Sequence, residues 1–462
     1  MKKKISTVLA VSLLLSSFGL GGCEKSTGLQ GFNENVLRVA SWDEYIDMGG
    51  ELYEGNDPDL LDFKEWFYEE TGVELSNTKP LYEEFEKWYK ETYKKDIRVE
   101  YVALQDNETM YNKIKMGDCY DLLCPSEYMA MKLKAEGRLQ EFPSEFFNTE
   151  NEKNYYAKNV SPYTRDTFIP EADLTGYMAG YMWGTTGFVY NPYTIGETPE
   201  QSREIMSSWH CLTSKECSRR ITAKDNVRDS YFMGLGMYYE EELLNLETNS
   251  STYAETLHEK MNDTSPETMN GVKKLLEKVR KNLYGLETDE AKMDMIMGAL
   301  DASYQWSGDA VFILDEAESQ SGIELEYSIP SSASNIWFDG WVMMKGANTE
   351  AATAFINFLS RPDNAIRNMY YIGYTSCLGG QAIYNYVNYT YSAEENEEKT
   401  EKYDLSYFFG NEYEPLVVPS EQTYRQLFAQ YPDAKTKDRL VVMSYFTKDA
   451  NERANRMWNN IK

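Results

Sequence analysis

The sequence predicts an α/β fold with helices on both faces of its sheets, and three observations carry that expectation. Strand-like and helix-like runs alternate along the chain. Its 462 residues are enough for two or three domains, each with ample core. Beyond the N-terminus, no stretch is apolar for long enough to span a bilayer, so the rest reads as soluble.

The first residues read as a secretory leader. Lys2, Lys3 and Lys4 form a positive start, Ile5 to Leu20 a short apolar run, and Leu20-Gly21-Gly22-Cys23 a cleavage site. The run is short and broken by serines, unlike a membrane span. A cysteine directly after small residues at the cut resembles the lipobox of bacterial lipoproteins, which implies lipid on Cys23. Residues 1–22 are thus expected to be a signal peptide, and 23–35, polar and glycine-containing, a lipid-anchored tether.

Val36 to Ser41 reads as the opening strand. Two similar helical stretches follow, around Leu60–Phe67 and Leu81–Tyr89, each leading to a strand-like segment, Val73–Leu75 and Ile97–Tyr101. Leu81, Phe85, Trp88 and Tyr89 share one helical face, which predicts an extra helix packed by its aromatics into the core. Further on, Tyr120–Cys124, Gly187–Tyr190, Ala310–Leu314 and Gly340–Met344 read as extended. Met129–Glu136, Ser230–Leu244, Pro266–Asn282 and Thr349–Leu359 read as helical. Glu394–Lys402 is charge-dense and reads as a solvated loop or helix end.

The net charge of −29 repels nucleic acid and anionic lipid and attracts cations, without naming a ligand. Besides Cys23 there are five cysteines without metal-site spacing; Cys211 and Cys217 are near enough in sequence to pair, but sequence leaves that open. His210 and His258 stand far apart and read as surface or structural residues. No P-loop, dinucleotide fingerprint, HExxH or GxSxG occurs. Neither a cofactor nor a metal is expected.

Several segments, in order, resemble the spermidine/putrescine-binding proteins of ABC importers. They are Ser41-Trp42-Asp43-Glu44-Tyr45, Asn107-Glu108-Thr109-Met110-Tyr111, Tyr120 to Tyr128, Trp183-Gly184-Thr185-Thr186-Gly187, and Asp225-Asn226-Val227-Arg228-Asp229. Trp306-Ser307-Gly308-Asp309, Trp337-Phe338-Asp339, Ile356 to Asp363 and Ile372-Gly373-Tyr374-Thr375 complete the series. The likeness runs from about residue 36 to 384; the doubled helices and the residues after about 385 match poorly. It implies a two-lobed, type II periplasmic-binding-protein-like fold with a ligand cleft between the lobes. Carried over, lobe one is 36–185 with 338–384, and lobe two is 186–337 with 385–462.

The resemblance also implies a ligand set. Trp42, Tyr45, Tyr128, Trp306, Trp337 and Tyr374 form an aromatic box, Glu44, Asp229 and Asp339 meet ammonium groups, and Ser126 gives a neutral hydrogen bond. The chemistry of a polyamine fits these residue types. Its methylenes need apolar walls, its ammonium groups need carboxylates, and an aromatic face serves both. Trp337 and Asp339 stand two residues apart, so in a strand they project to the same side. This chain departs from spermidine-preferring relatives in having Asn226 where an acid is common, and Asp229 where a longer Glu is also used. The family's C-terminal glutamine has no clear counterpart near Met443–Phe446.

The expected function is therefore capture of a polyamine outside the cytoplasm and its delivery to an ABC permease. The protein is expected to act as a monomer held to the membrane by its N-terminal lipid only, without nucleic acid and without enzymatic activity. Two alternatives compete. One is a receptor for another small solute or ferric ion, suggested superficially by Tyr238-Tyr239 and Tyr370-Tyr371. The other is an extracellular hydrolase using Glu44 and Asp339 as paired carboxylates.

Overall fold

The computed structural model describes residues 33–287 and 290–462; Cys23, the leader and most of the tether lie outside them. The described chain divides into two units. Unit 1 holds the residues up to Asn159 with Thr175–Ala179 and Gly340–Ile372, and unit 2 holds Val160–Leu174, Gly180–Asp339 and Gly373–Lys462. Residues 160–174, 180–185, 338–339 and 373–384, expected with the first lobe, thus fall in unit 2. One link is the bridge between Val160 and Leu378; another is the Thr164 hydroxyl, which donates to the Cys377 carbonyl at 3.0 Å.

In unit 1 the strand Val36–Trp42 pairs in parallel with Arg98–Leu104 on one side and Leu122–Leu123 on the other. Val342 and Met343, at the end of the Ser334–Met344 strand, run antiparallel to Leu122–Leu123. The two inserted helices are Pro58–Thr71 and Leu81–Tyr93. Asp57 caps the first by accepting from the Asp59 and Leu60 amides, Pro58 fits its first turn, and Gly72 ends it at φ 70°. Phe63 stacks on Tyr370 at 3.9 Å between centroids. In the second helix Leu81, Phe85 and Tyr89 are buried, as the pattern predicts. Phe85 meets Phe355 edge-on at 5.0 Å, against the helix Thr349–Leu359. The expected strand after the first helix is absent. Val73–Leu75 lead into a turn at Ser76-Asn77, so the echo between the two copies is confined to the helices.

Arg367, on the helix Pro362–Ile372, is 1% exposed. Its guanidinium donates to Asp47 at 2.6 Å, to Glu84 at 2.9 Å and to the Lys79 carbonyl at 3.2 Å. Burial opposes the charge on Arg367, and the carboxylates of Asp47 and Glu84 outweigh it, raising its pKa. Asp47 also accepts from the Tyr53 hydroxyl at 3.1 Å, and its amide donates to Asn368 at 2.8 Å. One buried cation thereby ties the segment after the first strand to an inserted helix and to a C-terminal helix of the unit.

Unit 2 also has paired strands at its core. Thr186–Tyr190 of the strand Met178–Tyr190 pair antiparallel with Ala302–Trp306, which runs parallel to Ile221–Lys224. Trp209 packs between Phe188 and Tyr304, at 5.6 and 5.5 Å, and donates to the Ala333 carbonyl at 2.9 Å. The helix Val227–Leu244 passes so close that a Cβ at Gly236 would overlap the Trp209 indole. Ala310–Leu314, expected as a strand, lies in the helix Ser307–Glu316. Ala310, Val311, Ile313 and Leu314 are all buried, and so short an apolar run does not distinguish a buried strand from a buried helix. Within Glu394–Lys402, the last three residues are exposed and begin the strand Thr400–Tyr403. Among the described residues, no helix is long and apolar enough to cross a membrane, and Cys211 and Cys217 are separate buried thiols.

Replacing Arg367 with Met leaves Asp47 buried without its cation, and is expected to cost about 3 kcal/mol of stability. Gly236→Ala forces the helix off Trp209 and is expected to cost about 1–3 kcal/mol. Denaturant unfolding followed by circular dichroism measures both; a change under half a kcal/mol in either would contradict the account.

Candidate functional site

The ten expected ligand residues divide evenly, five in each unit. In unit 1, Trp42 ends the first strand, in register with Leu104, and is half-buried. The chain then turns through Glu44, which holds φ 51°. A non-glycine residue in that left-handed region costs roughly 1 kcal/mol. Glu44 is the only exposed member of the ten; Tyr45, next to it, is buried. Asp47, two residues further, is anchored by Arg367, which fixes where this turn leads.

Ser126 and Tyr128 sit at the start of the helix Glu127–Ala135. The Asn107 side chain donates to the Ser126 hydroxyl at 3.0 Å and accepts from the Ser126 amide at 3.1 Å. The Tyr128 hydroxyl donates to Glu108 at 3.4 Å. Two motifs nineteen residues apart in sequence are thus joined by paired hydrogen bonds.

In unit 2, Trp337 and Tyr374 gather at the Trp306-Ser307-Gly308-Asp309 turn. Trp306 ends a strand and Ser307 begins a helix. The Tyr374 ring lies against Gly308, where a Cβ would overlap it. Tyr374 packs on Trp337 at 5.5 Å, and its hydroxyl donates to Asp309 at 3.4 Å. Trp337 donates to the Thr185 carbonyl at 3.3 Å and covers Gly184, which likewise has no room for a Cβ. The glycines of two sequence motifs therefore make the space that two aromatics fill.

Asp309 is buried and meets two lysines. Lys292 reaches one of its oxygens at 2.9 Å and Lys224 the other at 3.3 Å. The Lys224 ammonium also lies 3.7 Å from the centroid of the Trp306 ring. Burial works against the charge on both partners. It pulls the Lys224 pKa down although Asp309 and Asp229 attract the ammonium, whereas at Asp309 the two lysines outweigh it and lower the pKa.

Asp229 is buried in the first turn of its helix, which Asn226 caps by accepting from the Arg228 amide at 2.8 Å and the Asp229 amide at 3.3 Å. Asn226 thus has a local structural use. Asp339 is buried, 5% exposed, on the same strand as half-buried Trp337. Burial pushes the Cys377 thiol pKa up, and the nearby Asp339 charge adds to the shift.

Sequence reading assigns no role to Asp309, although it stands in a quoted motif, and none to Lys224 or Lys292. A lysine at a strand end carries no sequence signal of burial, because most lysines are solvated. The paired tyrosines have ordinary structural uses. Tyr239 donates to Asp263 at 2.7 Å, and Tyr370 stacks on Phe63. Among the described residues, no cluster of three or more His, Cys, Asp or Glu is placed to hold a metal.

Comparison with known proteins places these features in a family. Residues 81–380 match the model of the bacterial extracellular solute-binding proteins. A spermidine/putrescine-binding periplasmic protein of Salmonella typhimurium is 27% identical over 293 residues, 63% of this chain and 72% of its own length. A putrescine-binding periplasmic protein of Pseudomonas aeruginosa is 24% identical over 372 residues, 79% of this chain and 82% of its own. Among solved structures, the spermidine/putrescine ABC transporter substrate-binding protein of Streptococcus pneumoniae aligns over 92% of this chain and 98% of its own. Its TM-score is 0.57 at 24% identity, so it shares the α/β, type II periplasmic-binding-protein-like fold. The matched span covers both the Ser126 pair and the Trp306–Tyr374 cluster, and the chain belongs to the bacterial extracellular solute-binding protein family.

Proposed function

We propose that this chain binds a polyamine, of the spermidine or putrescine class, and delivers it to the permease of an ABC importer. The observation that carries the reading is in unit 2, where Trp337 packs on Tyr374 and buried Asp339 stands two residues on along the same strand. Aromatic surface and negative charge side by side are what an alkyl chain with ammonium ends requires. Each cation–ring contact contributes roughly 0.5–2 kcal/mol. The similarity to polyamine-binding relatives in two organisms supports the same ligand class.

In this reading the ligand residues are the ones the family likeness implies. Trp42, Glu44, Tyr45, Ser126 and Tyr128 contribute from unit 1, and Asp229, Trp306, Trp337, Asp339 and Tyr374 from unit 2. Buried Asp339 supplies selectivity for cations as much as affinity, because a buried ion pair also costs desolvation. The protein carries out no reaction of its own. It works as a monomer outside the cytoplasm, anchored by lipid on Cys23 after removal of residues 1–22, and its acidity disfavours nucleic acid.

Calorimetry with putrescine, spermidine and cadaverine tests the ligand class, and heat with none of them would sink it. Asp339→Asn is expected to weaken binding about thirtyfold, which corresponds to about 2 kcal/mol; unchanged affinity would remove Asp339 from the site. The anchor is tested by detergent-phase partition of the expressed protein. The native chain is expected in the detergent phase and Cys23→Ser in the aqueous phase, and identical partition would refute lipid attachment.

A further inference from the structure

Lys224 closes the strand Ile221–Lys224 and is 1% exposed. Its backbone is pinned by pairing with Glu287 on the neighbouring strand and by the Ser230 hydroxyl, which donates to its carbonyl at 3.0 Å. The ammonium at the end of this fixed stem lies 3.7 Å from the Trp306 ring centroid and 3.3 Å from Asp309. A cation over an indole face with a carboxylate beside it is the arrangement that a bound alkylammonium group would adopt. Here the protein supplies the cation itself.

We infer that Lys224 is a specificity-determining residue: its ammonium occupies one cation position of the aromatic–acid cluster, so the chain takes a short diamine in preference to a triamine. This rests on the polyamine reading and narrows it. Asp309 already faces two lysines, since Lys292 lies 2.9 Å from its other oxygen. Asp229 adds its attraction to the same Lys224 ammonium. A third ammonium entering at Trp306 meets a like charge and a carboxylate whose oxygens are both engaged. Asn226 offers no compensating charge, because its side-chain oxygen is uncharged and caps the helix. A ligand with two ammonium groups leaves this position to Lys224.

The test is the ratio of putrescine to spermidine affinity, measured by calorimetry on the full chain and on Lys224→Met, which keeps an apolar stem and removes the charge. The native chain is expected to bind putrescine at least about tenfold more tightly, and Lys224→Met to shift the ratio toward spermidine by about tenfold. Should Lys224→Met fail to fold, Lys292→Gln serves, since that side chain is 25% exposed. It frees one Asp309 oxygen and is expected to shift the ratio in the same direction by a smaller factor. A native preference for spermidine, or an unchanged ratio in a folded variant, overturns the inference while leaving polyamine binding intact. Heat from no amine overturns the polyamine reading and this inference with it.

Discussion

A charge removed from water has to be met by another, and that constraint organises both units of this protein. In unit 1 it is Arg367, buried among Asp47, Glu84 and a backbone carbonyl. In unit 2 it is Asp309 between Lys224 and Lys292, and also Glu326, which takes Arg203 at 2.6 Å and the Tyr190 hydroxyl at 2.7 Å. Such pairs add little net stability over apolar packing, but each specifies which elements must meet. Arg367 specifies the path of the chain just after Trp42, Glu44 and Tyr45. The Asp309 cluster specifies the junction between the Trp306 strand and the helix that follows it. Buried charges, Arg367 and Asp309, thus help set the segments that carry the candidate binding residues.

Glycine plays the complementary part by leaving space. Gly184 and Gly308 stand where Trp337 and Tyr374 press closest, and Gly236 stands where a helix runs over Trp209. The aromatic surface at the site is thus continuous with the way the core is built. An indole or phenol ring needs a flat neighbour, and a missing Cβ provides one.

Much of this was legible in the sequence. Alternating patterns found the helices Pro266–Asn282 and Thr349–Leu359 and the opening strand, because long, regular burial leaves a clear period. The family likeness named Trp337, Asp339 and Tyr374 as candidates, and Trp337 and Tyr374 do pack together. What stayed hidden shares a physical cause. Ala310–Leu314 is apolar on every side and too short to show a period, so its helix read as a strand. The second copy of the helix echo led to a real strand and the first did not, because partners for a strand come from the sheet and not from the segment. Lys224 was silent for the same reason: its burial depends on Trp306 and Asp309, which lie more than eighty residues away.

The lysines around Asp309 have a consequence for the protein between ligands. Buried Asp309 and Asp229, left without the lysine charge, would draw counter-ions from solution or bind protons. Lys224 and Lys292 hold Asp309 ionised from within. The vacant site therefore needs few mobile ions to stay balanced, and few are released when a ligand arrives. Charges paired this deeply are weakly screened. Ligand capture should accordingly depend less on ionic strength than a chain with a net charge of −29 suggests, letting the receptor work alike in dilute and in salty surroundings.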